Sequence, residues 1–257
     1  RQSILDYILK NYCKDDVDVN DLSDIYEMFL DDYGLKNDES LKYQTRYFEN
    51  RLSSSNKVLW KFKKKLRYYN LDSIDKAELI DRLNLAYFED VEYSTLKFFR
   101  DNLELMNEWD IRDEYELHNL MKKVIGVNND LGITFLRMPN VSFGNPDRDM
   151  QSLELLIQLA PISNIDLAKA YENEYGVRAE TALANYFKEI DEYFHNGIYS
   201  IEYEQLDGDE FNKLKGLLVD KIYTIKDIKL IYKKYFNKKD TRIINPYNLK
   251  KIGRAHV

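Results

Sequence analysis

One helix-start pattern occurs four times in this chain, and it limits the fold more than any other feature. Asp21-Leu22-Ser23-Asp24-Ile25 leads to Phe29, Tyr33 and Gly34, and Asp75-Lys76-Ala77-Glu78-Leu79 leads to Leu83 and Tyr87. Ser163-Asn164-Ile165-Asp166-Leu167 leads to Tyr171, Tyr175 and Gly176, and Thr224-Ile225-Lys226-Asp227-Ile228 leads to Tyr232, Phe236 and Asn237. The first side chain of each can accept from free helix amides, and the acid three residues on completes a capping box. The i, i+4, i+8 ladder predicts one buried stripe, so Tyr33, Tyr87, Tyr171, Tyr175 and Tyr232 are expected in the core. Gly34, Gly176 and Asn237 suit the left-handed end of a helix.

A second helix is expected after each copy, opening at Glu39-Ser40-Leu41-Lys42, Ser94-Thr95-Leu96-Lys97, Glu180-Thr181-Ala182-Leu183 and Asn245-Pro246-Tyr247. Hairpin signals follow three of them. Lys57-Val58-Leu59-Trp60-Lys61-Phe62 alternates as a strand does, Gly132–Phe135 and Val141–Phe143 flank Arg137–Asn140, and Asn196-Gly197 is a two-residue turn signal. Helix, helix, then hairpin resembles tandem helix-turn-helix, winged-helix-like modules, which implies a mainly α fold with short β-hairpin wings. The modules are expected at 1–70 with a basic wing, 71–150 with an additional helix over Ile111–Val124, an acidic 151–210, and an incomplete 211–257.

The 257 residues carry 38 Lys+Arg against 45 Asp+Glu, a net charge of −7. An acidic total argues mildly against a nucleic-acid glove, though local patches outweigh totals. No apolar run reaches the ~18 residues of a membrane span, so no membrane partner is expected. The single Cys13 excludes an internal disulfide and fits a reducing, cytoplasmic setting. The start at Arg1 reads as a piece of a longer protein, and the heavy use of Tyr, Lys, Asn, Ile and Asp points to a bacterial or phage source.

Lys57–Tyr69 holds six cations and no acid. Lys57, Lys61, Lys63, Lys64, Lys65 and Arg67 on a wing would meet phosphates, with aromatics stacking on bases. The alternative is a solvated strand with Leu59, Phe62 and Leu66 turned inward. Lys42, Arg46 and Arg51, with Gln44 and Asn50, are candidates on the recognition helix that precedes this wing. In the third module that helix reads Glu180, Lys188, Glu189, Asp191 and Glu192, which would repel phosphate and suits a protein partner.

Arg112-Asp113-Glu114-Tyr115-Glu116-Leu117-His118 is similar to the Arg-x5-His signature of the HEPN family of helical ribonucleases. That resemblance implies metal-independent RNA cleavage, with His118 moving a proton and Arg112 stabilising phosphorane charge. The bland alternative places both on a polar helix face, with Lys122 and Lys123 complementing the helix dipole. Asp110, Glu114 and His118 span about 12 Å along a straight helix, too far for one ion. The expectation is therefore a non-enzymatic binder of duplex DNA and protein without a cofactor. The alternatives are a protein scaffold or a HEPN-like ribonuclease using Arg112 and His118.

Overall fold

The structure is a computed structural model that describes residues 2–13, 15–88, 90–201, 203–204, 208–218, 223, 225–236 and 243–244. It is mainly helical, with small sheets, and divides into two compact units, Arg1–Pro146 and Asp147–Val257. No helix among the described residues is long and apolar enough to cross a membrane.

The first unit contains two sets of elements. The first set is α1 (Gln2–Asn11), β1 (Val17–Asp18), α2 (Leu22–Asp32), α3 (Thr45–Ser53), β2 (Val58–Trp60) and β3 (Lys65–Tyr68). The second is α4 (Lys76–Arg82), β4 (Val91–Ser94), α5 (Thr95–Asp101), α6 (Leu103–Glu108), α7 (Glu114–Ile125), β5 (Ile133–Phe135) and β6 (Asn140–Phe143). The second unit opens with α8 (Arg148–Leu159), β7 (Ile162–Ser163), α9 (Asn164–Tyr175), α10 (Ala179–Asn185), β8 (Phe194–His195) and β9 (Ile198–Tyr199). It continues through β10 (Tyr203–Glu204), α11 (Gly208–Leu217), α12 (Ile225–Phe236) and β11 (Ile243–Ile244), with β10 and β11 parallel. Each of the three sets builds one antiparallel sheet whose last strand lies in the middle: β1-β3-β2, β4-β6-β5 and β7-β9-β8.

The caps follow the sequence pattern in part. Asp75 accepts from the Glu78 amide at 2.9 Å, and Ser163 accepts from Asp166 at 3.1 Å. Asp21 makes no such bond, because it already has helical backbone angles. The second copy also holds a different place from the first. It is α4, the opening helix of its set, and it stops where Asn84 turns left-handed at φ 53°. Tyr87 therefore falls in a turn and is 83% exposed, and Tyr33 is exposed as well, whereas Tyr171 and Tyr232 are buried. The positional counterpart of α2 is α5, capped by Ser94, so α7, read as additional, is the counterpart of α3. Glu39–Leu41 is a 3-10 turn capped by Asp38, and α3 starts only at Thr45. The expected helix at Asn245 and the tail Gly253–Val257 lie outside the described residues.

The hairpins form where the turn residues place them. Asn196 and Gly197 both take positive φ, 52° and 85°, as a two-residue hairpin turn requires. The β2–β3 hairpin is buried on both faces. Val58, Trp60, Leu66 and Tyr68 face the core of α1, α2 and α3, while Leu59, Tyr69 and Leu71 join the core around α7. Alternation along a strand sends Arg67 to this second face. There its Nε donates to Glu116 Oε1 at 2.7 Å and Nη2 to Oε2 at 2.9 Å. The two side chains are 6% and 0% exposed.

Removing one partner of such a pair strands a buried charge. Glu116→Ala is expected to cost about 3–5 kcal/mol of unfolding free energy, and Arg67→Met with Glu116→Leu to recover most of it, read as urea midpoints. In the second unit, Ser163→Ala should cost about 1 kcal/mol through loss of the α9 cap.

Candidate nucleic-acid interface

The basic stretch divides between buried and exposed cations. Arg67 is closed off by Glu116 and by Asp110, whose Oδ2 accepts from Nη1 at 2.9 Å. Lys61 is 15% exposed and lies 2.6 Å from Asp16, 3.2 Å from Asp113 and 3.9 Å from Glu116. Burial works to lower the Lys61 and Arg67 pKa values, but these carboxylates outweigh it and both stay raised. Both residues hold the hairpin to α7 and neither is free for phosphate, which corrects the sequence reading. Lys57 is engaged by Asp72 and Asn70.

The hairpin tip is different. Lys63 and Lys64 adopt left-handed angles, φ 57° and 59°, which turn the chain between β2 and β3. Lys63, Lys64 and Lys65 are all exposed. Lys63 lies over the Phe62 ring at 5.7 Å, and Phe62 stacks on Tyr115 of α7 at 5.1 Å. Lys64 is 2.5 Å from Glu49 of α3. The tip thus carries an aromatic pair among three solvent-facing cations.

On α3, Phe48 and Leu52 are buried, leaving Arg46, Glu49, Asn50 and Ser53 on one face at i, i+3, i+4 and i+7. Arg51 is on another face, over the Tyr47 ring at 5.4 Å. Lys42 precedes the helix and pairs with Glu39 at 2.6 Å.

Sequence reasoning missed a groove of about 600 Å³ beside this face. Glu49, Asn50 and Ser53 of α3, Trp60, Lys61 and Lys64 of the hairpin, and Asn119, Lys122 and Lys123 of α7 line it, with Val127 and Met138. Lys123 donates to the carbonyls of Ser55 and Val58 at 2.7 and 2.8 Å, and burial pulls its pKa down to about 8. Lys122 is exposed on the same turn. The Lys122-Lys123 pair was visible in the sequence, but only as a complement to the helix dipole; nothing local said that α7 stands opposite α3.

The structure does not bring Arg112 and His118 together. Arg112 precedes the α7 cap Asp113, and its guanidinium meets Asp110, Asp16 and Asp15 at 3.5–4.0 Å. His118 is 2% exposed, and its Nε2 donates to the Asn140 carbonyl at 3.1 Å. Glu114 is likewise buried, and no group of three or more His, Cys, Asp or Glu among the described residues is placed to hold a metal.

Burial lowers the His118 pKa from 6.5 to about 4. Between those values the unfolded chain takes up a proton that the folded imidazole refuses, so stability falls as the pH drops. Its contribution is complete above pH 6.5 and shrinks by roughly 3 kcal/mol by pH 4. A His118→Asn variant, which keeps a donor for Asn140, should show a flatter difference in urea midpoint between pH 7 and pH 4.5. The chain matches no family model, no curated protein and no solved structure.

Proposed function

We propose that the three element sets are winged-helix-like modules and that the first unit binds nucleic acid, with duplex DNA held at the β2–β3 tip. The observation that supports this reading is the exposure of Lys63, Lys64 and Lys65 around the Phe62–Tyr115 pair in a chain of net charge −7. Those cations meet backbone phosphates, and Arg46 and Asn50 on the neighbouring α3 face add contacts of their own. Lys42, Lys57 and Arg51 contribute less, being engaged by Glu39, Asp72 and Tyr47, and Lys64 shares its charge with Glu49. The chemistry is binding; no nucleophile or proton shuttle is required of any residue.

A second reading, contact with protein, is favoured for the second unit by its own surface. Glu180, Glu189, Asp191 and Glu192 are exposed, as are Leu183 and Ile198 at 39% and 48%. Lys188 to Glu192 lie in a 3-10 turn after α10, not on the helix the sequence suggested. An acidic surface with apolar members repels phosphate and suits a basic protein partner.

The test is anisotropy with labelled duplex DNA across a salt series. Lys63→Ala, Lys64→Ala and Lys65→Ala combined should weaken binding at any sequence and reduce the slope of log K against log salt by about 2–3. Unchanged affinity and slope in the triple variant would remove the tip from the interface. A wild-type chain that ignores both duplex and heparin would leave the protein-contact reading alone.

A further inference from the structure

The groove between α3 and α7 differs from the hairpin tip in its lining. It is lined by the two helices and the β2–β3 hairpin, and two of its four lysines are set back. Lys61 is held inside by three carboxylates, and Lys123 reaches its two carbonyls from the α7 side. A duplex presents its phosphates on a convex cylinder, which suits the exposed tip lysines. A single strand can enter, because its backbone bends and its bases are free to leave the stack.

The lining has the chemistry for one. Lys64 and Lys122 are the exposed lysines of the lining, Lys64 beside Glu49, while Lys61 and Lys123 are held by partners within the protein. Lys122 has no anionic partner among the described residues, and the amides of Asn50 and Asn119 and the hydroxyl of Ser53 supply neutral polar groups. Trp60, Val127 and Met138 provide apolar surface, and Trp60 is held in place by its indole N–H to the Leu52 carbonyl at 3.3 Å and its backbone amide to Asn119 Oδ1 at 3.1 Å. Cations, side-chain amides and a fixed aromatic surface in one recess match a phosphate with a base attached. A volume of about 600 Å³ is within the range of pockets that take compact organic ligands.

We infer that this groove takes a single-stranded DNA segment, so that the first unit grips a junction, with duplex at the hairpin tip and the unpaired strand between α3 and α7. This rests on the reading of the first unit as a nucleic-acid binder. Lys64 belongs to both surfaces, since it stands at the tip and lines the groove.

The full chain would be titrated with a blunt duplex and with the same duplex carrying a 3′ or a 5′ single-stranded extension of several thymidines. At least one extension should tighten binding about tenfold. Lys122→Glu, an exposed change, should abolish that gain while leaving blunt-duplex affinity and the thermal unfolding midpoint unaltered. Trp60 emission should respond to the extended duplex and not to the blunt one. Equal affinity for blunt and extended duplexes overturns the groove assignment and leaves duplex binding standing. Failure to bind either one overturns both. Thymidine monophosphate displacing the extension as well as a thymidine oligomer does would show that the groove reads a free nucleotide, and would overturn the strand.

Discussion

The Glu116 side chain is fully buried, and Arg67, the Arg112 backbone amide at 2.8 Å and the more distant Lys61 surround its carboxylate. Two charges withdrawn from water are tolerated only when the geometry is good and the remaining lone pairs are filled. Here the guanidinium offers two parallel bonds to one carboxylate, the strongest arrangement such a pair has. This cluster fixes where α7 lies against the hairpin. That placement brings Tyr115 onto Phe62 and sets the groove opposite α3.

The same cluster explains what could be read in the chain beforehand and what could not. Local rules sufficed for the mainly helical content, for the caps at Asp75 and Ser163, and for the hairpin at Asn196-Gly197. Each depends on neighbours within a few residues. Tyr87 escaped those rules because the helix before it ended early, at a left-handed Asn84 that no periodicity announces. The basic stretch escaped for a different reason. Alternation in Lys57–Phe62 signals a strand, but it does not say whether the polar face meets water or another core. Arg67 and Lys61 look identical in sequence to Lys63 and Lys65; only carboxylates some fifty residues away along the chain, Asp16, Asp110, Asp113 and Glu116, separate anchors from free cations.

Arg112 and His118 show the limit of a spaced motif. Their separation puts both near one helix, yet Asp113 caps that helix between them, so Arg112 lies outside it. His118, further along, points into the core beside Phe135, their rings 5.6 Å apart. The groove had the opposite problem. Its residues come from four separate stretches, none unusual alone, and only the packing of α7 on β2 gathers them.

The two-sided burial of the β2–β3 hairpin has a bearing on how this protein can be taken apart. Leu59, Tyr69 and Leu71 belong to the core built around α7, although they precede it in the chain. A piece cut after residue 70 would carry a sheet with one face stripped to water and a guanidinium deprived of its carboxylate. Shortened versions of this region therefore report on a damaged hairpin rather than on an autonomous first module. Arg1–Pro146 is the compact unit that holds the cores on both faces of the hairpin.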